Sequence, residues 1–317
     1  MNRDGHMSMS TDTRQKYQMM DSEQKKEQIK HLRIIHPRFH KALELIKRCH
    51  ESTAISTDPQ CMLITGPSGS GKSTIFETYI RKHDRMIYEE TRTKKVVLWA
   101  EIPSPTRIST FLETMLEQLG DPFPMRGTIG NKNHRLVNLI KDCRIELIML
   151  DEFQHFVHTE NQKINYEVAD CFKSIINRTK VPVVLFGLKQ AESVLECNPQ
   201  LKRRFSMKYS LPPFGYEDDT RVQEFRILMK HLDNILPFEN LSGLDTPDIA
   251  DRIMHATGGI MNSIMKLVRE AALIALEQEK NKIEMIDLAK AYQLHEWIFR
   301  GTGNNPFLIK KFKGIKS

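Results

Sequence analysis

Apolar residues follow two rhythms along this chain, and the change between them divides it. Between about residue 60 and residue 190, short near-continuous apolar runs (CMLIT, KKVVLWAEI, IELIML and VPVVLFGL) alternate with stretches whose apolar positions recur every three or four residues. The first kind predicts strands buried on both faces and the second predicts helices with one buried stripe. STIFETYIRKH, RISTFLETMLEQLG, HRLVNLIKDC and INYEVADCFKSIINRT are the predicted helices of this region, and an earlier one starts after Pro37 in HPRFHKALELI. Strands of this type alternating with helices predict a parallel sheet covered on both faces, an αβα core. After LPPFGYEDD only the helical rhythm remains. TRVQEFRILMKHLDNIL, DIADRIMHATGG, IMNSIMKLVREAALIALEQ and EMIDLAKAYQLHEWIF read as helices with no strand between them. The expected division is a polar, flexible extension over 1–29, an α/β core over 30–214, an all-helical domain over 215–299 and a basic, mobile tail over 300–317.

The junction between the first strand and the next helix carries chemistry. The segment from Leu63 to Thr74 reads LITGPSGSGKST and fits the pattern G-x-x-x-x-G-K-[ST], a phosphate-cradling loop set between a strand and a helix N-terminus. Gly66, Pro67, Ser68, Gly69, Ser70, Gly71, Lys72, Ser73 and Thr74 form the expected binding loop. Lys72 is expected on the β/γ-phosphates and the Ser73 hydroxyl on Mg²⁺. The loop alone also resembles that of guanylate-kinase-like enzymes, so it leaves the fate of the nucleotide open. The strand IELIML ends in Asp151-Glu152. An Asp there is placed to support the metal, and the adjacent Glu to deprotonate an attacking water. A small-molecule kinase excludes water and needs no such base, so the pair favours hydrolysis. A GTPase would place N-K-x-D after its acidic strand. Here NKNH, from Asn131 to His134, lacks the Asp and comes before that strand.

Composition narrows the setting without fixing it. A net charge of +7 at pH 7 and a pI near 9.0 permit a polyanionic partner. No apolar run reaches a membrane span and no apolar signal segment opens the chain, so a membrane role is not expected. Five scattered cysteines without a C-x-x-C pair suit a reducing cytoplasm. His155 and His158 stand near a carboxylate, but no third and fourth metal ligand accompany them.

Taken in order, the phosphate loop, the Asp-Glu strand, a further strand, the arginines of LKRRF and the closing helices resemble an AAA+ ATPase. Over roughly residues 34–292 they resemble, more closely, the TniB/TnsC family of transposition ATPases. RGTIGNKNHRLVNLIKDCRIELIMLDEFQHF, NRTKVPVVLFGLKQAESVLECNPQLKRRF and ILPFENLSGLDTPDIADRIMHATGGIMNSIMKL carry that resemblance. It implies a bacterial, cytoplasmic, DNA-associated ATPase that uses ATP and Mg²⁺ and assembles with copies of itself as a ring or filament on duplex DNA. Such a protein links a target-selecting module, RNA-guided in some elements, to a transposase. It implies Arg204, then Arg203, as the finger that reaches a neighbouring subunit's nucleotide, and Arg107 and Thr128, with Arg126 and Lys132 nearby, as contacts to the DNA backbone. Two positions depart from the general AAA+ pattern. Gly187-Leu188 stands where a polar sensor follows the VVLF strand, and Asn262-Ser263 where the helical domain supplies an arginine. These departures suit a slow, switch-like enzyme. A helicase loader or replication initiator is the first alternative, although the chain ends before a DNA-reading helix-turn-helix. A nucleotide kinase and a non-hydrolysing scaffold are the others. The tail's Lys310, Lys311, Phe312 and Lys313 are expected to be free to engage DNA or a transposase.

Overall fold

A computed structural model describes residues 14–52, 58–89, 92–104, 106–157, 162–295 and 304–312. The chain divides into two compact units, Pro37–Pro212 and a second formed by Met1–His36 with Pro213–Ser317.

In the first unit, five strands make one sheet: β1 (Met62–Thr65), β4 (Val97–Glu101), β5 (Leu147–Asp151), β6 (Val183–Gly187) and β7 (Met207–Ser210). Their order across the sheet is β4-β5-β6-β1-β7, and every pairing is parallel. The central strands β1, β5 and β6 are buried at every position, as expected for strands covered on both faces. The expected parallel αβα core is therefore present. On one face pack α4 (Ile108–Gln118), α5 (Ile129–Asp142) and α6 (Gln162–Thr179), with Leu112, Val168 and Phe172 in that core layer; on the other pack α2 (Pro37–Glu51) and α3 (Lys72–His83), with Ile46, Ile75 and Phe76. Two short helices, α7 (Glu192–Glu196) and α8 (Pro199–Arg204), bridge β6 to β7.

Two features of this unit depart from the sequence reading. The single run KKVVLWAEI is split: Arg92–Lys95 forms β3, paired antiparallel with β2 (Met86–Glu89) outside the main sheet, and β4 starts only at Val97. The edge strand β7 lay hidden in NPQLKRRFSMKYSLPPF, because its residues alternate between half-buried and exposed rather than forming an apolar run.

Among its described residues the second unit is all-helical, with α9 (Asp219–Ile235), α10 (Pro247–Thr257), α11 (Met261–Glu277) and α12 (Met285–Leu294) around one core. Residues 296–299 of the last expected helix lie outside the described residues. Residues 14–32 and 304–312 add to this unit, contrary to the expected flexible extension and mobile tail, while 1–13, 300–303 and 313–317 lie outside the described residues. Asp21 caps α1 (Ser22–Lys30) in a reciprocal capping box, and Ile29 and Leu32 enter the core of the helical unit. Arg14 donates to the carbonyl of Asp233 in the last turn of α9 and to those of Leu236 and Phe238 just beyond it. At the other end Phe307 is buried in the same core, and the buried Arg252 donates to the carbonyls of Pro306 and Ile309 while standing over the Phe312 ring. Lys310 and Lys311 flank this docked segment, and Lys313 lies outside the described residues.

Replacing Ile29 or Phe307 with alanine removes a fully enclosed side chain. Losses of about 2–5 kcal/mol are expected for the helical unit in denaturant unfolding. A loss below about 0.5 kcal/mol is what an unpacked surface segment would give.

Candidate functional site

The carboxyl ends of β1, β5 and β6 lie side by side, and the residues picked out by the motifs gather there. The loop after β1 is tightly fitted. Gly66 donates to the Gly187 carbonyl at 3.2 Å, and a Cβ on Gly66 would fall 2.7 Å from the Leu211 carbonyl oxygen and 2.6 Å from Ser70 Oγ. Gly71, at φ +98°, turns the chain into α3, so the unpaired N–H groups of that helix open onto the loop.

Lys72 starts α3 and is 6% exposed. Its Nζ donates to the carbonyls of Gly66 at 2.8 Å and Pro67 at 3.0 Å. Burial lowers its pKa, against the opposing pull of Asp151 and then Glu152. Asp151, at the end of β5, is 4% exposed, and burial raises its pKa. The Glu152 N–H, the Ser73 hydroxyl and the Lys72 charge act against that rise. The Ser73–Asp151 hydrogen bond brings together the two residues expected to hold the metal.

Glu152 follows at φ +59°, a left-handed conformation that costs a non-glycine residue about 1–3 kcal/mol. Its N–H donates to Asp151 Oδ1 at 2.8 Å, which fixes the turn. Its carboxylate receives the Gln154 amide N–H and lies 3.9 Å from His155 Nε2. The His155 Nδ1 donates to the Ile102 carbonyl at 2.6 Å. His158 lies outside the described residues, and among the described residues no His/Cys/Asp/Glu group of metal-holding size occurs.

A nucleotide triphosphate with Mg²⁺ suits what this site lacks. Lys72 spends its charge on carbonyls, and the buried Ser70 hydroxyl has no hydrogen-bond partner. Asp151 is a buried carboxylate, stabilised by any cation placed against it.

The remaining predicted residues divide. Arg204 Nη1 is held within its own chain by Asp58 Oδ1 at 2.8 Å, whereas Arg203 is exposed. Arg107 is exposed at the start of α4, and Thr128 caps α5 by accepting the Asn131 N–H at 3.3 Å. Arg126 is exposed, its guanidinium 4.4 Å from the centre of the Phe123 ring. Lys132 departs from its expected role as a DNA contact. It is 4% exposed and pairs with Glu113, with Ser109 Oγ at 2.9 Å. Those contacts instead join the first turn of α5 to the first two turns of α4, setting the two helix N-termini side by side. Nothing in the sequence pattern marks Lys132 as inward-facing except its i+4 spacing from the cap at Thr128. The same limitation hid Gln154.

This strand order, with a phosphate loop after β1 and an acidic pair after β5, defines an AAA+ ATPase of the kind that includes origin-recognition, Cdc6 and TniB proteins. The family model of the bacterial TniB protein matches residues 25–216, and the chain belongs to that family. Among curated proteins it is similar to origin recognition complex subunit 4 of Homo sapiens, 24% identical over 195 residues, covering 56% of this chain and 42% of that protein. The Rattus norvegicus subunit 4 is 27% identical over 178 residues, covering 52% and 38%. The chain thus spans about two-fifths of the length of these relatives. Among solved structures, the Aeropyrum pernix ORC1 protein in complex with DNA matches with a TM-score of 0.53 at 16% identity, covering 82% of this chain and 66% of that one. Cdc6p from Pyrobaculum aerophilum matches with a TM-score of 0.55 at 14% identity, covering 86% and 70%. At such identities the structural likeness speaks for the fold.

The raised pKa of Asp151 gives a stability prediction with a definite sign. The native chain holds this proton more tightly than the unfolded chain, whose value lies near 3.8. Nucleotide-free stability therefore gains from this group as pH falls from neutral through the raised native value. Asp151→Asn removes the buried charge. Its expected effect is a Tm of the nucleotide-free protein at pH 7 raised by about 2–4 °C per kcal/mol relieved, with loss of any extra stabilisation by Mg²⁺ added with ATP. A lowered Tm would show that the Ser73 and Glu152 N–H contacts outweigh burial.

Proposed function

We propose that this protein is an ATP-hydrolysing regulator of DNA transposition that assembles on duplex DNA and connects a target selector to a transposase. The convergence of Lys72, Ser73, Asp151 and Glu152 at the ends of β1 and β5 carries the nucleotide part of the reading. In it the loop amides and Lys72 hold the β- and γ-phosphates, Ser73 and Asp151 hold Mg²⁺, and Glu152 accepts a proton from the attacking water. The metal neutralises charge on the phosphates when bound. Turnover is slow and acts as a switch, in keeping with Gly187-Leu188 and Asn262-Ser263 at the two departing positions.

The DNA part rests on family membership, the net charge of +7 and the paired N-termini of α4 and α5. Arg107, Arg126 and Thr128 surround those N-termini and suit phosphate oxygens without reading bases. Lys132 holds the platform together from beneath. The finger reaching a neighbouring subunit is Arg203 rather than Arg204, because Arg204 is committed to Asp58. The similarity to origin recognition subunits favours replication initiation or helicase loading as the second reading. Activation of a cognate transposase, against loading of a helicase, separates the two.

Electron microscopy with duplex DNA and a slowly hydrolysed ATP analogue is the direct test. Regular oligomers that need both ligands, and vanish in Lys72→Ala, are expected; a monomer under all conditions overturns the assembly reading.

Salt titration of DNA binding separates the surface cations from the buried one. Arg107→Ala and Arg126→Ala should each reduce the slope of log K against log salt by about one. Lys132→Met should leave the slope unchanged. Instead it should destabilise the fold, at the low end of about 3–5 kcal/mol because Glu113 keeps some solvent.

A further inference from the structure

Gln154 lies in the turn after Glu152 and is 9% exposed. Both ends of its amide are used. Nε2 donates to Glu152 Oε2, and Oε1 accepts the N–H of Leu188 at 3.0 Å, just past the end of β6. The neighbouring strand end is shaped to admit this amide. A Cβ at Gly187 would lie 2.9 Å from Gln154 Oε1, closer than a real side chain tolerates, and 3.2 Å from Ala191 Cβ. Gly187 is not at positive φ, so the close approach, and not backbone conformation, accounts for glycine here.

We propose that Gln154 is the positioning residue for Glu152, tying the general base to the end of β6. This rests on the reading of Glu152 as the hydrolytic base and supplies what the missing polar side chain at Gly187-Leu188 leaves undone. Glu152 sits on a left-handed turn that restrains its backbone but leaves its side chain free to rotate. A donated N–H fixes one carboxylate oxygen and leaves the other to accept a proton from water. The opposite end of the same amide is anchored on a main-chain N–H, so a shift at the end of β6 passes directly to the base. An amide is suited to this because it offers a donor and an acceptor at once. His155 approaches the same carboxylate at 3.9 Å and is anchored to Ile102, but it has no link to β6 among the contacts of the described residues.

Three variants separate the parts. Gln154→Met keeps the volume and removes both hydrogen bonds. Gln154→Glu keeps the acceptor for Leu188 N–H and removes the donor to Glu152. Gly187→Ala leaves Gln154 in place but displaces its amide. ATP turnover and the Kd of a fluorescent ATP analogue are measured on the full chain, with Glu152→Gln as the reference for a lost base. All three variants are expected to lower kcat about tenfold or more, with nucleotide Kd within twofold of wild type. Gly187→Ala added to Gln154→Met should lower kcat no further. Amide exchange at Leu188 should speed up in Gln154→Met and in Gly187→Ala but not in Gln154→Glu, a readout that loss of folding would not produce selectively. Wild-type turnover no faster than Glu152→Gln would overturn both the hydrolytic reading and this proposal. Wild-type turnover well above Glu152→Gln, with Gln154→Met within twofold of wild type, would overturn the proposal alone. So would kcat and nucleotide affinity falling together.

Discussion

Two buried charges of opposite sign, neither satisfied by the other, govern the architecture of the core. Lys72 and Asp151 are enclosed at the carboxyl ends of β1 and β5, yet the ammonium spends its hydrogen bonds on the Gly66 and Pro67 carbonyls. Removing either group from water is costly unless it is paired. The fold bears that cost because the same geometry turns the N-terminus of α3 toward whatever fills the loop. A ligand with several negative oxygens and a divalent cation settles all of these groups at once. Relief of an internal electrostatic penalty then contributes to the binding free energy, and binding in turn stabilises the fold.

The parallel sheet is what makes this concentration possible. Strands buried on both faces must be connected by helices, so all their carboxyl ends fall on one edge. The loops there need not be apolar and can carry the polar residues. Gly66 shows how closely the backbone is packed at this edge, and Gly187 shows the same for a side-chain amide.

What the sequence discloses follows the strength of the physical signal. Buried strands and helices with an apolar stripe announce themselves, and so does a glycine-rich loop whose composition is fixed by phosphate. β7 does not, since an edge strand alternates and is only four residues long. The β2–β3 hairpin is likewise short and outside the main sheet. The chain ends read as polar because few of their residues are apolar. But Ile29, Leu32 and Phe307 enter the helical core, with Arg14 and Arg252 donating to backbone carbonyls. A single long guanidinium can satisfy several acceptors, so one arginine orders a segment that composition would count as unstructured. Lys132 and Gln154 are the clearest misses. Each is a polar residue whose role depends on which way it points, and that is fixed by neighbours distant in sequence: Ser109 and Glu113 for one, Leu188 for the other.

The contrast between Lys132 and Gln154 bears on how such a molecule is controlled. The Lys132–Glu113 pair joins two helices on one face of the sheet through a charged contact. Gln154 joins the Glu152 carboxylate to the end of β6 through a neutral amide, with a hydrogen bond at each end. Such hydrogen bonds, about 0.5–1.5 kcal/mol to the Leu188 N–H and about 1.5–3 kcal/mol to a carboxylate, exchange more readily than a buried ion pair, whose breaking costs about 3–5 kcal/mol. If hydrolysis is to respond to assembly or to a partner, the response has to act through contacts weak enough to rearrange. At this edge of the sheet the amide of Gln154 is such a contact, and the ion pair beneath the α4–α5 platform is not.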